Sequence, residues 1–460
     1  MFTEMLSRFV TNTNYEDLPE AVVSAAKLAI LDHIGVALAG SREPVAKIIN
    51  EFIKENQSPA EASVIGSGYK ASCSLAALAN GTMGHALDYD DCLDFPTKGE
   101  GHPTTTILPA TLAVSEKLGA PGRDLILAYL LAMEVYGKVG LLLEGTFYGR
   151  SGWVKTSVLG VIGAAAGVAK LLKLDEFQVG QSFGIAASLA GGLQRNFGTM
   201  VNPLHGGNAA RNGIEASMLA KKGFTSWKGI FESPGGYYNV FSSTQDSVSE
   251  TTAQELISAL GNPWNILSPG LMFKVYPCAH IMHFCVDAAL SLRRKHSIDW
   301  RKISEIEAYV PFSSQSSTYQ QPKTGLEGKF SLEYCMSRAF IDGRIRIADF
   351  TDDKVKEPVV KRLMEKVKRS PSDTKAPSGP FAPQEFLVKL NDGTKYTCRI
   401  EHPKGEPQNP ASDKEIIAKY DDCAEYALSD EKVASQIKDL VLNLEKVENV
   451  SRLCSLIGQT

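Results

Sequence analysis

The residues best suited to acid–base chemistry lie between His85 and His102. Four aspartates fall within seven consecutive positions of this stretch: Asp88, Asp90, Asp91 and Asp94. Carboxylates and imidazoles transfer protons near neutral pH, and catalytic residues are concentrated on loops such as the glycine-rich one before His102. The pattern therefore predicts Asp88 and His102 as an acid–base pair. Taken singly, each aspartate is more often a solvated loop cap.

A helix is predicted to end near Leu87, immediately before this cluster. The C-terminal end of a helix disfavours negative charge and raises the pKa of a nearby carboxylate. Asp88 and Asp91 would then share one side of the last turn with raised pKa values. Carboxylates at this position would destabilise the fold, but their raised pKa values would suit proton transfer near neutral pH.

A second candidate site is the glycine-rich stretch 191–213, which carries Arg195, His205 and Arg211. A helix predicted to begin near Asn208 would direct its first amide groups toward a carboxylate or phosphate. The spacing matches neither a P-loop nor the GxGxxG nucleotide motif. A close helix–helix connection with a core histidine is an equally good interpretation.

A third candidate site surrounds Pro277. Its polar side chains are Lys274, Tyr276, His280 and His283. A lysine beside a tyrosine near a domain junction favours an anion clamp, with a surface lysine as the simpler alternative. Tyr319 is a further donor candidate. The two histidines are three residues apart, but no HExxH pattern or nearby acidic ligand accompanies them, so no metal is predicted.

Helices must position most of these side chains. Apolar, alanine-rich segments recur from about residue 18 to residue 264, and they are apolar on so many sides that buried helices are indicated. Helices are predicted at 74–87, 105–117, 124–142, 157–172, 176–190 and 208–221.

The character of the sequence changes near residues 263–269. Two alternating runs flank Asn391-Asp392-Gly393, which predicts a hairpin, and Ser412 with Glu415 predicts a capping box at the start of a helical tail. The expected fold is mainly α with a smaller α+β part. A large helical domain from both chain ends, 1–266 and 406–460, would hold an inserted α+β lid domain at 267–405.

Composition excludes some partners. The 460 residues have a net charge of -4 and a pI near 6.1, which gives no reason to expect nucleic acid. Eight scattered cysteines without a CxxC pair indicate reduced thiols and a cytoplasmic protein. The N-terminal residues lack the apolar core of a secretory signal. The most apolar uncharged stretch, 156–169, is shorter than the ~20 residues that span a bilayer, so no membrane partner is predicted.

In their order along nearly the whole chain, these segments resemble the MmgE/PrpD (2-methylcitrate dehydratase) superfamily, which includes cis-aconitate decarboxylase and iminodisuccinate epimerase. The motifs are "HALDYDD", "HPTTTILPA", "LHGGNAARNG", "KVYPCAH" and "KFSLEYC". The resemblance implies a helical domain with a smaller lid, commonly as a homodimer. It also implies cofactor-free proton transfer at a carbon next to a carboxylate of a small di- or tricarboxylate.

The resemblance assigns catalytic roles to five positions: Asp88, His102, Lys274, His280 and Tyr319. His283 is the alternative to His280 because the local spacing is ambiguous. We predict that the substrate is bound by Cys92, Lys155, Asn202, His205 and His283.

Three positions depart from the family pattern. Val154 stands where the family has a histidine in "GWHPT", although Lys155 beside it supplies a charge. Asn202 replaces a lysine, and Cys92 replaces a threonine of the decarboxylases. The loss of an imidazole and a cation argues for a smaller or less charged substrate than methylcitrate or cis-aconitate.

Three functions remain open on the sequence. The first is a lyase, a dehydratase or decarboxylase, that abstracts an α-proton. The second is an epimerase or isomerase of a small dicarboxylate, which needs no help for a leaving group and so tolerates Val154. The third is a non-catalytic protein that binds a carboxylate.

Overall fold

The computed structural model describes residues 2–94, 100–143, 152–242, 248–311, 319–371 and 382–459. The chain forms two compact units. One comprises Met1–Met272 with Ser412–Thr460, and the other comprises Phe273–Ala411. Within the described residues, helices dominate the first unit, and the second combines helices with a sheet, so the predicted fold class is confirmed.

The first unit is built from helices of widely differing length. Those before the second unit are α1 (Phe2–Asn12), α2 (Glu20–Gly40), α3 (Pro44–Glu55), α4 (Cys73–Gly84), α5 (Thr104–Leu118), α6 (Gly122–Leu142), α7 (Lys155–Leu171), α8 (Glu176–Ser188), α9 (Val201–Lys221), α10 (Tyr237–Phe241) and α11 (Glu250–Ser258). Its short strands are β1 (Ala62–Ser63), β2 (Lys70–Ala71), β3 (Cys92–Asp94), β4 (Glu100–Gly101) and β5 (Leu271–Met272).

Two of these helices, α2 and α6, are 21 residues long and apolar enough to cross a membrane by length and composition. The expectation of no membrane span rests on the uncharged stretch 156–169, which lies inside the 17-residue helix α7, whereas α2 and α6 both contain charged residues. The apolar windows of these helices are 72% and 94% buried in the fold, as in core helices of a folded protein.

Helices α4, α5, α7 and α9 pack together in the middle of this unit. Glycines allow the closest approach: a Cβ atom added to Gly207 of α9 would lie 2.1 Å from the carbonyl oxygen of Leu78 on α4. Helix α9 begins at Val201, so the prediction of a helix start near Asn208 is wrong. Gly206, Gly207 and Gly213 lie inside this helix because close contact with the neighbouring helices compensates for their low helix propensity.

Helix α4 ends at Gly84, three residues before the predicted end at Leu87. The aspartates therefore lie on a turn after the helix, and this turn leads into β3. Strand β3 pairs antiparallel with β4 and β5, with Leu93 opposite Gly101 and Cys92 opposite Met272. This pairing returns the chain to His102, directly after β4. We call residues 85–91 the acid–base turn.

The second unit contains α12 (His280–His296), α13 (Gly325–Gly328), α14 (Leu332–Asp342), α15 (Asp352–Lys356) and α16 (Pro358–Met364). Its strands are β6 (Ile303–Val310), β7 (Val367–Pro371), β8 (Gln384–Leu390) and β9 (Lys395–Ile400), in the sheet order β7-β6-β8-β9. Strands β8 and β9 form the predicted hairpin, and Gly393 has a positive φ of 88° in its turn.

The chain then returns to the first unit with α17 (Asp413–Ala427), α18 (Glu431–Leu442) and α19 (Ser451–Ile457). The predicted capping box is confirmed: Ser412 and Glu415 exchange hydrogen bonds at the start of α17. Helix α17 packs on α2. All eight cysteines are free thiols, as predicted.

Candidate active site

The acid–base turn brings two histidines to one buried carboxylate. His85 Nδ1 lies 2.9 and 3.0 Å from the two oxygens of Asp90, and His102 Nδ1 lies 3.2 Å from Asp90 Oδ2. The two imidazole rings are 4.5 Å apart. Both Nδ1 atoms therefore donate to the carboxylate, and His102 is held in the tautomer that leaves its Nε2 as the basic nitrogen.

Asp90 is fully buried and ionised. Burial alone would raise the pKa of this carboxyl, but the imidazoles of His85 and His102 outweigh that effect and hold the pKa well below its usual value. A carboxylate that orients an imidazole and stabilises its protonated form is the arrangement used in general acid–base catalysis. The sequence analysis placed Asp90 in the cluster but gave this role to neither Asp90 nor His85.

Asp88 lies on the other side of His102. Its Oδ1 is 4.0 Å from His102 Nε2, and the side chain is buried. Its backbone has a φ of +51°, a conformation that non-glycine residues rarely adopt. Strained backbone of this kind is concentrated at functional sites. The structure thus brings together the predicted pair of Asp88 and His102.

Asp91 supports the start of α5. Thr104 donates to it from both its hydroxyl group, at 2.5 Å, and its backbone amide, at 3.4 Å. Burial raises the pKa of Asp91 to about 8, and the hydrogen bonds from Thr104 offset only part of that effect. The predicted rise is present, but its cause is burial, because α4 ends too early for its terminus to act on Asp91.

His102 is fixed by the start of α7. Its backbone amide donates to Thr156 Oγ1 at 3.1 Å. A Cβ atom on the neighbouring Gly101 would lie 3.3 Å from Lys155 Cβ, so Lys155, the first residue of α7, lies beside β4. Lys155 is buried. Val154, which caps this helix, is also buried and has no group that could transfer a proton.

Cys92 contacts the same imidazole. Its Sγ is 3.6 Å from His102 Nδ1 and 3.8 Å from His102 Nε2. The thiol is buried at the first residue of β3. Among the predicted substrate-binding residues, Cys92 and Lys155 therefore lie next to His102.

Helix α9 contributes two more of the predicted residues. Asn202 and His205 are buried and lie on its first turns. Burial, with a smaller contribution from the charge of His85, lowers the pKa of His205 to about 4. His205 is consequently neutral at physiological pH and is a hydrogen-bonding group there, without a positive charge.

Four side chains of the first unit also form a candidate metal cluster. His85, Asp88, Asp90 and His102 each offer one ligand atom, and these atoms lie within 4.8 Å of one another. Two imidazoles with two carboxylates suit a divalent transition metal. Both imidazoles contact Asp90 within this cluster, and the sequence prediction of no metal stays a prediction.

In the second unit, the structure pairs His280 with a carboxylate that the sequence analysis missed. His280 Nε2 lies 3.0 Å from Glu406 Oε1, and Glu406 also binds His402 at 2.8 Å. His280 and Glu406 are 126 residues apart, and no local pattern connects them. Lys274 is fully buried, so the alternative of a surface lysine is wrong.

His283 and Tyr276 have structural partners within this unit. His283 Nε2 donates to the carbonyl oxygen of Tyr276 at 3.1 Å, and the Tyr276 hydroxyl group donates to Asp287 at 2.6 Å. Tyr319 is 36% exposed, and its backbone amide bonds to the carbonyl oxygen of Phe330. The roles predicted for His283 and Tyr319 stay predictions.

A cavity of about 540 Å³ lies elsewhere in the first unit. It is lined by residues of α1, α6 and α7, including Arg123 and Lys170, and by Tyr15 in the segment after α1. None of the predicted site residues lines it.

Comparison with known proteins shows the family of the chain. The model of the MmgE/PrpD N-terminal domain matches residues 4–250, and that of the MmgE/PrpD C-terminal domain matches residues 276–446. The chain belongs to the MmgE/PrpD family and is an enzyme of that family. The resemblance found on the sequence motifs is confirmed.

Individual proteins of known activity are similar to this chain over most of their length. Cis-aconitate decarboxylase of Aspergillus terreus is 28% identical, with 99% of this chain and 96% of the relative covered. Human cis-aconitate decarboxylase is also 28% identical, with 99% and 94% covered. The mitochondrial 2-methylcitrate dehydratase of Yarrowia lipolytica is 23% identical, with 86% and 78% covered.

Proposed function

We propose that this protein is a cofactor-independent lyase that acts on a small di- or tricarboxylate by removing a proton next to a carboxylate. The observation that carries the proposal is the orientation of His102 by the buried, ionised Asp90. A dehydratase and a decarboxylase both pass through negative charge at that carbon. A dehydratase needs a base that removes the proton and an acid that protonates the leaving hydroxyl group, whereas a decarboxylase loses carbon dioxide and needs an acid that protonates the carbon.

His102 and Asp88 are the proton-transferring pair in this proposal. The Nδ1–H of His102 donates to Asp90, so its Nε2 accepts or returns the proton on the side of Asp88. Lys155 is buried beside His102, and its positive charge stabilises a substrate carboxylate and the charge that develops on the carbon. Asn202 and Cys92 supply hydrogen-bonding groups near the same substrate.

The relatives named above act on cis-aconitate and 2-methylcitrate, and we place the substrate of this protein in the same chemical class. Val154 and Asn202 replace an imidazole and a cation of the family pattern, and both positions are buried. A carboxylate with fewer charges therefore fits this site better than either of those two substrates.

An epimerase is the second candidate, and buried Val154 is the observation that favours it. Epimerisation removes and returns a proton at one carbon and expels no leaving group, so an acid at position 154 is not required. A non-catalytic protein that binds a carboxylate is the third candidate. For the assembly and the location, we propose a homodimer in the cytoplasm.

The test is proton NMR of the purified protein in deuterated buffer with citrate, 2-methylcitrate, cis-aconitate, malate, tartrate and aspartate-derived imines. We expect deuterium at the carbon next to a carboxylate of at least one compound. A new product would identify a lyase, and exchange or inversion without one would identify an epimerase. Saturable binding without exchange, seen as a rise in Tm with ligand concentration, would support the non-catalytic alternative.

The matched variants are His102→Ala and His296→Ala. We expect His102→Ala to lower the rate of exchange by ~100-fold or more in a protein that still folds. His296 stacks on Tyr396 in the second unit, with ring centroids 4.1 Å apart, and is a control for the loss of a histidine elsewhere. Full activity of His102→Ala would remove His102 from the mechanism.

A further inference from the structure

We propose that Lys419 and Asp32 are positioning residues for the acid–base turn, although both lie far from it in the sequence. The inference rests on the proposed function, because it explains what holds the proton-transferring groups in place. Lys419 lies on α17 and Asp32 on α2, in the same compact unit as the turn.

The ammonium group of Lys419 has contacts on two sides. It lies 2.8 and 3.0 Å from the two oxygens of Asp32, and it donates to the carbonyl oxygen of Tyr89 at 2.6 Å. It also lies 4.1 Å from the centre of the Tyr89 ring. Lys419 and Asp32 are both buried, so these contacts are poorly screened by solvent.

The hydrogen bond from Lys419 to the carbonyl oxygen of Tyr89 helps to position Asp90. The carbonyl group of Tyr89 and the amide group of Asp90 belong to one planar peptide unit, so fixing the carbonyl oxygen fixes the direction in which the chain enters Asp90. Asp90 in turn orients both imidazoles. If Lys419 only joined α17 to α2, its contact with Asp32 would be sufficient. Lys419 also contacts the carbonyl oxygen and the ring of Tyr89, so it binds the acid–base turn as well.

Helix α2 also supports the beginning of the turn. A Cβ atom added to Gly84 would lie 2.3 Å from Cε1 of His33, so the His33 ring packs directly against the residue before His85. Burial lowers the pKa of His33 to about 4, which keeps this ring neutral. Neighbouring residues of α2 therefore contact the turn near its start and, through Lys419, near its middle. Between these contacts lies Asp88 with its strained backbone.

The charges that face Lys419 come from several elements. Asp32 is its direct partner on α2, while Asp90 and Asp91 on the turn and His33 on α2 interact with this group of charges. Removing Lys419 alone would leave Asp32 buried without its cation. The informative variant is therefore the double substitution Lys419→Met/Asp32→Asn, which removes both charges and keeps the side-chain volumes close.

The control is Lys438→Met/Asp421→Asn, which removes a lysine–aspartate pair 2.7 Å apart between α18 and α17, with both side chains more exposed than those of Lys419 and Asp32. Each protein is tested as the full chain. Steady-state kinetics are followed with the carboxylate that the wild type exchanges. The imidazole Nδ1 protons of histidine-labelled protein are followed by NMR, with His85→Gln and His102→Gln used to assign them.

We expect the Lys419→Met/Asp32→Asn protein to fold and to lose about 10- to 100-fold in kcat with little change in KM, because misplaced catalytic groups slow the chemistry more than they weaken binding. We also expect it to lose or broaden the two downfield Nδ1 proton signals of the hydrogen bonds to Asp90. Lys419→Arg with Asp32 intact should restore both readouts in part, and the surface control should match the wild type.

Unchanged kcat or unchanged Nδ1 signals in the Lys419→Met/Asp32→Asn protein would overturn the inference. The NMR readout needs no substrate, so it decides the positioning role even if the carboxylate panel yields no exchange. Loss of the signals together with a fully active His102→Ala variant would instead show that the turn is positioned as inferred and that the proposed function is wrong.

Discussion

At the scale of single residues, adjacent aspartates have different protonation states because their surroundings differ. Asp90 lies between two imidazoles and is ionised, whereas Asp91 faces Thr104 in a buried site and has a pKa of about 8. The sequence predicts that such a cluster can transfer protons. It does not predict which aspartate is ionised, because that depends on side-chain directions set by β3 and by the start of α5.

Asp91→Asn tests the protonated state of Asp91. The folded-state pKa of about 8 lies above the usual value of 3.8, so the folded protein keeps a proton that the unfolded chain releases between these pH values. The contribution of Asp91 to the free energy of unfolding should therefore fall as the pH rises from about 4 to 8, by up to about 1.4 kcal/mol per pH unit.

The asparagine variant lacks that contribution. We expect its stability relative to the wild type to increase steadily across the same pH range, as measured by urea denaturation at several pH values. A constant difference from pH 4 to pH 8 would show that Asp91 is ionised in the folded protein at neutral pH.

At the scale of elements, the positions of helices were easier to predict than their ends. The predicted segments 124–142 and 157–172 agree with α6 and α7 within two residues. The start of α9 was placed seven residues too late because its glycines indicated a loop. They are inside the helix because backbone contacts with α4 require residues without a Cβ atom, and such contacts cannot be seen in a local pattern.

Gly207→Ala tests this packing between α9 and α4. Alanine favours a helix by up to about 1 kcal/mol over glycine, but its Cβ atom here would lie 2.1 Å from Leu78 O and 2.4 Å from Thr82 Oγ1. We expect a net loss of about 1–3 kcal/mol in the free energy of unfolding. The control is Gly191→Ala, where a Cβ atom meets nothing within 4 Å and stability should be unchanged or slightly higher. Equal stability of the two variants would contradict the close packing.

At the scale of the whole molecule, the fold class could be predicted because periodicity and composition differ between the helical and the α+β parts. The pairs that join distant residues could not. His280 with Glu406 and Lys419 with Asp32 each connect segments without a shared local pattern. Family resemblance supplied the residue types at the site, and the contacts that orient them came from the structure.

An exposed apolar surface is the candidate interface of the proposed homodimer. The segment that leads into α9 exposes Leu193, Phe197 and Met200, by 56%, 39% and 44%. Exposed apolar groups of this kind often mark a protein interface, and in a two-fold dimer the same patch lies on both copies.

We expect Leu193→Glu/Phe197→Glu to convert the dimer to a monomer in sedimentation and light-scattering measurements, with the helical content kept. Ile48→Glu/Phe52→Glu on α3 is the control, since those side chains are also about half exposed. A dimer that survives the first pair of substitutions and dissociates with the second would move the interface to α3.

The division of the helical unit between both ends of the chain has a consequence for synthesis. Tyr89 and its cation at Lys419 are 330 residues apart, and the whole second unit is translated between them. At a translation rate of roughly 10 residues per second, Lys419 is synthesised about half a minute after Tyr89. A nascent chain that has not yet reached residue 412 thus carries His85, Asp88, Asp90 and His102 without the cation that holds their turn. The order of translation makes the assembly of these groups one of the last events in the folding of the protein.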